Sequence, residues 1–210
     1  MQDYRPWYQL LRVNYEALSW REAQAIVDDV ANRTPERVEM LERHIRTFAG
    51  FSEWTADGSR DSFLQLGPWV ARHTRRRELL PREKVFEPLN PTLSEWQIES
   101  LQSLYTSMPI RYFTEHSRGV LCDIGLYIAQ CIHMAHPTTK WIRCKCRGDD
   151  LFNMPLLGVA KNYGICPFFH TLNAASQQLN TSNANRWLEL LDTWLASASS
   201  LESRRVDKWW

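Results

Sequence analysis

The chain has 210 residues, enough to bury a hydrophobic core and most simply a single domain. Its 44% hydrophobic and 23% charged residues exclude wholesale disorder, and a formal net charge of +1 supplies no global field toward nucleic acid or an anionic membrane. Five cysteines, an odd number, do not suggest a disulfide framework.

MQDYRPWYQLLRVNYEAL lacks the basic and apolar regions of a secretory signal, and no apolar run approaches the roughly 20 residues that span a bilayer. A cytoplasmic protein with reduced thiols is therefore expected. A short helix holds Trp7, Leu10, Leu11 and Tyr15. Ser19 and Glu22 form a capping box that opens a helix to about Ala31. Thr34 before Pro35 reads as a fresh start, with Val38, Leu41, Ile45 and Phe48 at helical spacing and Gly50 at the stop. Beyond a polar loop, Phe63, Leu66 and Val70 share a helical face that Gly67-Pro68 should kink.

Pro81, Pro88 and Pro91 mark residues 78–93 as a connector, dividing the domain into a helical N-terminal lobe, residues 1–77, and a second lobe, residues 94–210. A further capping box, Thr92 with Glu95, opens a helix with Trp96, Leu101, Leu104 and Tyr105. A long helix runs from Glu115 to Ala135. KWIRCKC, NMPLLGVA and NYGICPFFHTLN read as two or three strands of a small antiparallel sheet, and Asn183 caps a last helix with Trp187, Leu190, Leu191, Trp194 and Leu195. The expected fold is α+β, a mostly helical body with a small antiparallel sheet in the C-terminal half.

The stretch CIHMAHPTTKWIRCKC, residues 131–146, carries thiols and imidazoles of the kind zinc prefers. Helix geometry separates Cys131 from His133, and strand alternation turns Ile142, Cys144 and Cys146 toward one face, with Trp141, Arg143 and Lys145 on the other. Core cysteines and helix-end histidines are the plainer reading, and no metal ligand is assigned. A thiol nucleophile would need a partner such as His170 for Cys122 or Cys166, but Cys166 reads as packed in an aromatic strand. Sequence motifs for a phosphate loop, a dinucleotide turn, a helical zinc protease and a nucleophile elbow are missing, so no cofactor is expected.

Arg72, Arg75, Arg76, Arg77, Arg82 and Lys84 form a basic run that could meet phosphates, although cations ending a helix need no ligand. Ten tryptophans are the remaining signal. Trp54 in a polar loop, Trp141 on a polar strand face and Trp209 and Trp210 at the terminus would suit a protein interface if exposed.

Read in order, SRDSFLQLGPWVA (Ser62, Leu66, Trp69), LCDIGLYIAQ (Asp123, Gly125, Tyr127), Trp141, Asn153, Pro155, Pro167 and Phe168 resemble a group of small bacterial proteins, over roughly half the chain. Several of that group look like immunity proteins, which protect a bacterium from a toxin used in competition. The resemblance implies a non-enzymatic protein that occludes the active site of a cognate toxin, and it brings no catalytic residues with it. Trp54, Asp57, Arg60, Trp141, Arg143 and Lys145 are the candidate partner-binding residues. The alternatives are a thiol- or metal-dependent enzyme built on residues 131–146, and a nucleic-acid or regulatory module built on residues 71–84.

Overall fold

The computed structural model of the protein describes residues 4–78, 94–95, 99, 113–148, 150–160 and 163–206. The expected capping box at Thr92, the helix through Trp96, Leu101, Leu104 and Tyr105, nearly all of the 78–93 connector, and Trp209 and Trp210 lie outside the described residues.

The chain enters through two short 3-10 turns, Tyr8–Leu11 and Tyr15–Ala17, rather than one helix. Helix α1, Trp20–Arg46, follows, and its capping box forms as expected: the Ser19 hydroxyl accepts from the Glu22 amide and the Glu22 carboxylate accepts from the Ser19 amide. Those hydrogen bonds hold the Glu22 carboxyl below its usual range.

Thr34-Pro35 does not start a new helix. The helix is continuous for 27 residues because Ala23, Val27, Val30, Thr34, Val38, Leu41 and Ile45 make one buried stripe across the proline. Pro35 itself faces solvent, and the Thr34 hydroxyl turns back to the carbonyl of Val30 at 2.7 Å instead of capping forward.

Helix α2, Arg60–His73, tolerates Gly67-Pro68 in its interior. Helix α3, Glu115–Ala135, is the centre of the molecule, buried without interruption from Gly119 to Ala129. Strands β1, Lys140–Arg143, β2, Pro155–Ala160, and β3, Tyr163–Ile165, form an antiparallel sheet in that order, with Trp141 opposite Leu157 and Ile142 opposite Leu156. Helices α4, Pro167–Thr181, and α5, Arg186–Val206, close the fold. One hydrophobic core draws residues from both expected lobes, from Trp7 and Trp54 to Trp187 and Ala198. The architecture is α+β.

Two expectations change in the C-terminal half. NYGICPFFHTLN is a strand only as far as Ile165; Pro167 then occupies the first turn of α4, a position where its fixed φ and missing N–H suit a helix start. Asn183 lies outside α5, its side-chain oxygen accepting from the Asn185 amide while its amide group holds the Glu189 carboxylate.

The residues that carry the resemblance prove to be joints of this scaffold. Asp123 accepts from Arg37 of α1, from the Tyr4 hydroxyl and from the Trp7 amide, tying the entering segment to two helices. At Gly125 an added Cβ would sit 3.2 Å from the Pro167 carbonyl, so glycine lets α4 start against α3. The Tyr127 hydroxyl bonds the Ser62 hydroxyl at 2.6 Å and accepts from the Gly58 amide at 3.0 Å. Tyr127→Phe should therefore destabilise the protein by about 1–2 kcal/mol, measured as a lowered urea midpoint, because the Gly58 amide loses its acceptor.

Candidate functional site

A depression of about 480 Å³ opens between the chain entering α1 and the β1–β2 connection. Leu18, Ser19 and Trp20 line one side, and Arg143, Lys145 and Arg147 the other, with Phe152 and Asn153 between them and Glu16 at hand. Its construction follows from Asn153. This residue has φ 66°, a left-handed conformation that asparagine adopts more readily than most residues. Its side-chain amide donates to the carbonyls of Tyr15 and Leu18 at 3.0 and 3.2 Å, and its side-chain oxygen accepts from the Arg143 guanidinium at 2.6 Å. One buried side chain thus fixes the hairpin to the entering segment and fixes Arg143 in the wall.

Arg143 is half-buried, and its Nε is enclosed with no hydrogen-bond partner among the described residues. Lys145 and Arg147 are exposed and make no ion pair among the described residues. Among the described residues that line it, three cations accompany one carboxylate, Glu16, on a protein whose net charge is only +1. At the rim Trp20 is 60% exposed, the largest exposed aromatic side chain among the described residues. Cations and an exposed indole lining one depression can hold an anion and an apolar group together. Among the described lining residues Ser19 carries the one hydroxyl, and it is committed to the helix cap.

Of the six expected partner-binding residues, the structure brings only Arg143 and Lys145 to this site. Trp54 is 1% exposed, its indole N–H donating to the Ser62 carbonyl at 2.9 Å, so the polarity of its loop misrepresented its burial. Trp141 is half-buried and packs on the core, stacked parallel to Phe168 with ring centroids 6.1 Å apart. At Trp141 this strand face is therefore not open to solvent, since the ring meets Phe168 in the first turn of α4. Asp57 and Arg60 are exposed at the start of α2, Asp57 accepting from the Ser59 amide and Arg60 paired with Asp192 of α5 at 3.3 Å.

The alternation expected for KWIRCKC ends early. The strand stops at Arg143, Cys144 is buried, and Cys146 is exposed rather than inward. Sequence reasoning missed Trp20, Asn153 and Arg147. Trp20 is three residues before Ala23 and continues the apolar stripe by spacing, but it stands in the first turn, past the edge of the core.

The other candidates fare differently. Burial pushes the Cys131 thiol up to about 12, Cys166 up to about 11, and Cys122 well above its usual value, so all three are protonated at neutral pH and are weak nucleophiles. Among the described residues no group of three His, Cys, Asp or Glu side chains could hold a metal ion. His133 contacts the Thr139 carbonyl at 3.0 Å, and His136 meets Ser199 of α5 at 3.3 Å. In the basic run, Arg76 spans to the Ser176 carbonyl and Asn180 at the end of α4, Arg75 reaches the Arg72 carbonyl, and Arg72 lies over Phe51. Arg75 and Arg76 are thus engaged within the fold, and Arg82 and Lys84 lie outside the described residues.

A second polar cluster surrounds Tyr4, which stacks on His44 with centroids 3.9 Å apart; His116 lies 6.0 Å from His44, and His73 packs on Phe48 and Trp69. Burial, then the charges of His116 and His73, draws His44 down to about 4. Below the ordinary imidazole value of 6.5 the unfolded chain takes up a proton that the folded chain resists until about pH 4. Folding stability should therefore fall between pH 6.5 and pH 4, as thermal melts across that window would register, and His44→Phe should flatten the decline.

The chain matches no protein-family model, no curated protein and no solved structure. No helix among the described residues is long and apolar enough to cross a membrane.

Proposed function

We propose that this protein is a non-enzymatic binding protein, and that its working surface is the cationic cleft formed by Trp20, Arg143, Lys145 and Arg147. The observation that carries this reading is a concave site lined by an exposed indole and by cations, two of which, Lys145 and Arg147, make no ion pair among the described residues. Exposed aromatic and arginine side chains are the usual anchors of protein interfaces. Complementary charge speeds association and selects the partner.

In its most specific form, the reading makes the protein an immunity protein. It binds a cognate toxin and covers that toxin's active site with the face around the cleft. The partner's contact surface is acidic, since like-charge contact costs several kcal/mol. Support comes from the resemblance of Asp123-Gly125-Tyr127 and its companion motifs to the immunity-like group, although those residues build the scaffold and not the surface.

Co-expression with the toxic product of a neighbouring gene tests the proposal. The expected result is restored growth and a stable complex in which Lys145→Glu/Arg147→Glu raises the dissociation constant by about 100-fold. Growth arrest in the presence of well-folded protein, with no complex recovered, would count against it.

A further inference from the structure

The shape and wiring of the cleft specify what enters it, an inference that rests on the binding role just proposed and deepens it. The wall cations are of two kinds. Arg143 is held in place by Asn153, which is itself fixed by two backbone carbonyls across the site. Lys145 and Arg147, beyond the end of β1, are exposed and carry no ion pair among the described residues. A fixed cation sets where an anion must sit, and long exposed cations adjust around it.

A concavity of about 480 Å³ is within the range that takes up small ligands or a few protruding side chains, rather than a flat face. Glu16 lines the same depression and opposes a group with several negative charges, and Trp20 gives the rim an apolar surface. A single carboxylate flanked by apolar side chains meets all of these conditions; a bare phosphate leaves Trp20 without a contact and brings more negative charge into a depression that Glu16 also lines.

The geometry points to a protruding loop of the partner protein that inserts an Asp or Glu carboxylate against Arg143, Lys145 and Arg147 while a neighbouring apolar side chain packs on Trp20. Trp20 is the energetic anchor of this contact, and Asn153 is a positioning residue that acts through Arg143.

The test is an NMR titration of the full-length, isotope-labelled chain with a disulfide-cyclised peptide whose turn carries Phe next to Glu. Its Phe-Gln counterpart and inorganic phosphate serve as comparison probes. The expected result is a set of shifts centred on the Trp20 indole N–H, the Arg143 Nε–H and the amides of residues 145–147. Binding should weaken about 10-fold or more with the Gln peptide, with Trp20→Ala, and with Lys145→Glu/Arg147→Glu. Asn153→Asp, which keeps the side-chain oxygen but loses the amide donor, should weaken binding while leaving the amide spectrum of the helices in place.

Phosphate that binds as tightly as the Glu peptide overturns the inference in favour of a phosphate site. Shifts elsewhere on the surface, or none at millimolar peptide, overturn it outright. The two proposals separate cleanly. Peptide binding as expected without toxin rescue leaves this chemistry standing and removes the immunity reading. Rescue that survives Lys145→Glu/Arg147→Glu does the reverse.

Discussion

Asp123→Ala should destabilise the protein by about 3–5 kcal/mol, the usual effect of removing one partner of a buried ion pair. The Asp123 side chain is fully buried and that of Arg37 only 9% exposed, so without the carboxylate the guanidinium stays in the core uncompensated. The Tyr4 hydroxyl and the Trp7 amide lose their acceptor in the same step, which releases the entering segment from α1 and α3. Against a typical domain stability of about 5–15 kcal/mol, this is a large fraction.

Burial raises the Asp123 carboxyl above its usual range despite the opposing pull of Arg37 and Tyr4. Arg37 moves the other way, its charged form favoured, despite burial, by the Asp123 carboxylate, and replacing a buried ion pair by apolar side chains of similar volume is often neutral or stabilising. A double variant, Arg37→Met with Asp123→Leu, should then be more stable than either single variant, because it leaves no unpaired charge. Urea unfolding of the four proteins measures the difference. If Asp123→Leu unfolds no more easily than the double variant, the pairing of Arg37 with Asp123 is wrong.

Gly67→Ala should cost about 3 kcal/mol, at the upper end of ordinary overpacking effects. An added Cβ would meet the Ala184 carbonyl oxygen at 2.3 Å, a backbone atom that cannot rotate aside. The same contact brings Gln178 close enough to donate to the Gly67 carbonyl at 2.7 Å while its side-chain oxygen accepts from the fully buried Trp187 indole at 2.7 Å. Moving α2 away from residue 184 would break that chain. The effect on stability should be large and the effect on cleft binding small, because the cleft is lined from α1 and the β1–β2 connection. Calorimetry together with peptide titration distinguishes the two.

Local signals in the sequence that are backed by the core were legible. The Ser19–Glu22 box, the Glu115–Ala135 helix and the two strands at Lys140 and Pro155 follow from capping chemistry and periodicity, and the tertiary structure agrees with them. Where a local signal and the core disagreed, the core prevailed. Thr34-Pro35 carries the residues of a helix start, but the stripe from Val30 to Val38 stays in register through it, and the proline's missing hydrogen bond falls on the solvent side. NYGICPFFHTLN has the aromatic content of a strand, yet Pro167 suits the first turn of a helix that packs on Gly125.

The site was only half legible for a similar reason. Arg143 and Lys145 were marked by strand alternation, which is a local property. Trp54 and Trp141 were placed by the polarity of their neighbours in sequence, whereas their burial depends on α2 and α4. Trp20 and Asn153 become meaningful only when the entering segment crosses the hairpin, a juxtaposition of residues more than 130 positions apart.

The central claim is that the cationic cleft is the binding surface. The most direct test is the affinity of the toxin proposed as partner for the wild-type chain, for Lys145→Glu/Arg147→Glu, and for Arg60→Glu as a charge reversal outside the cleft. All three positions are exposed, and the Arg60–Asp192 pair that Arg60→Glu removes is a surface one of small energetic weight, so the fold should be retained. The expected result is a loss of about 100-fold for the cleft variant, with a weaker salt dependence, and near wild-type binding for Arg60→Glu. Equal affinity across the three proteins, or a loss confined to Arg60→Glu, would contradict it.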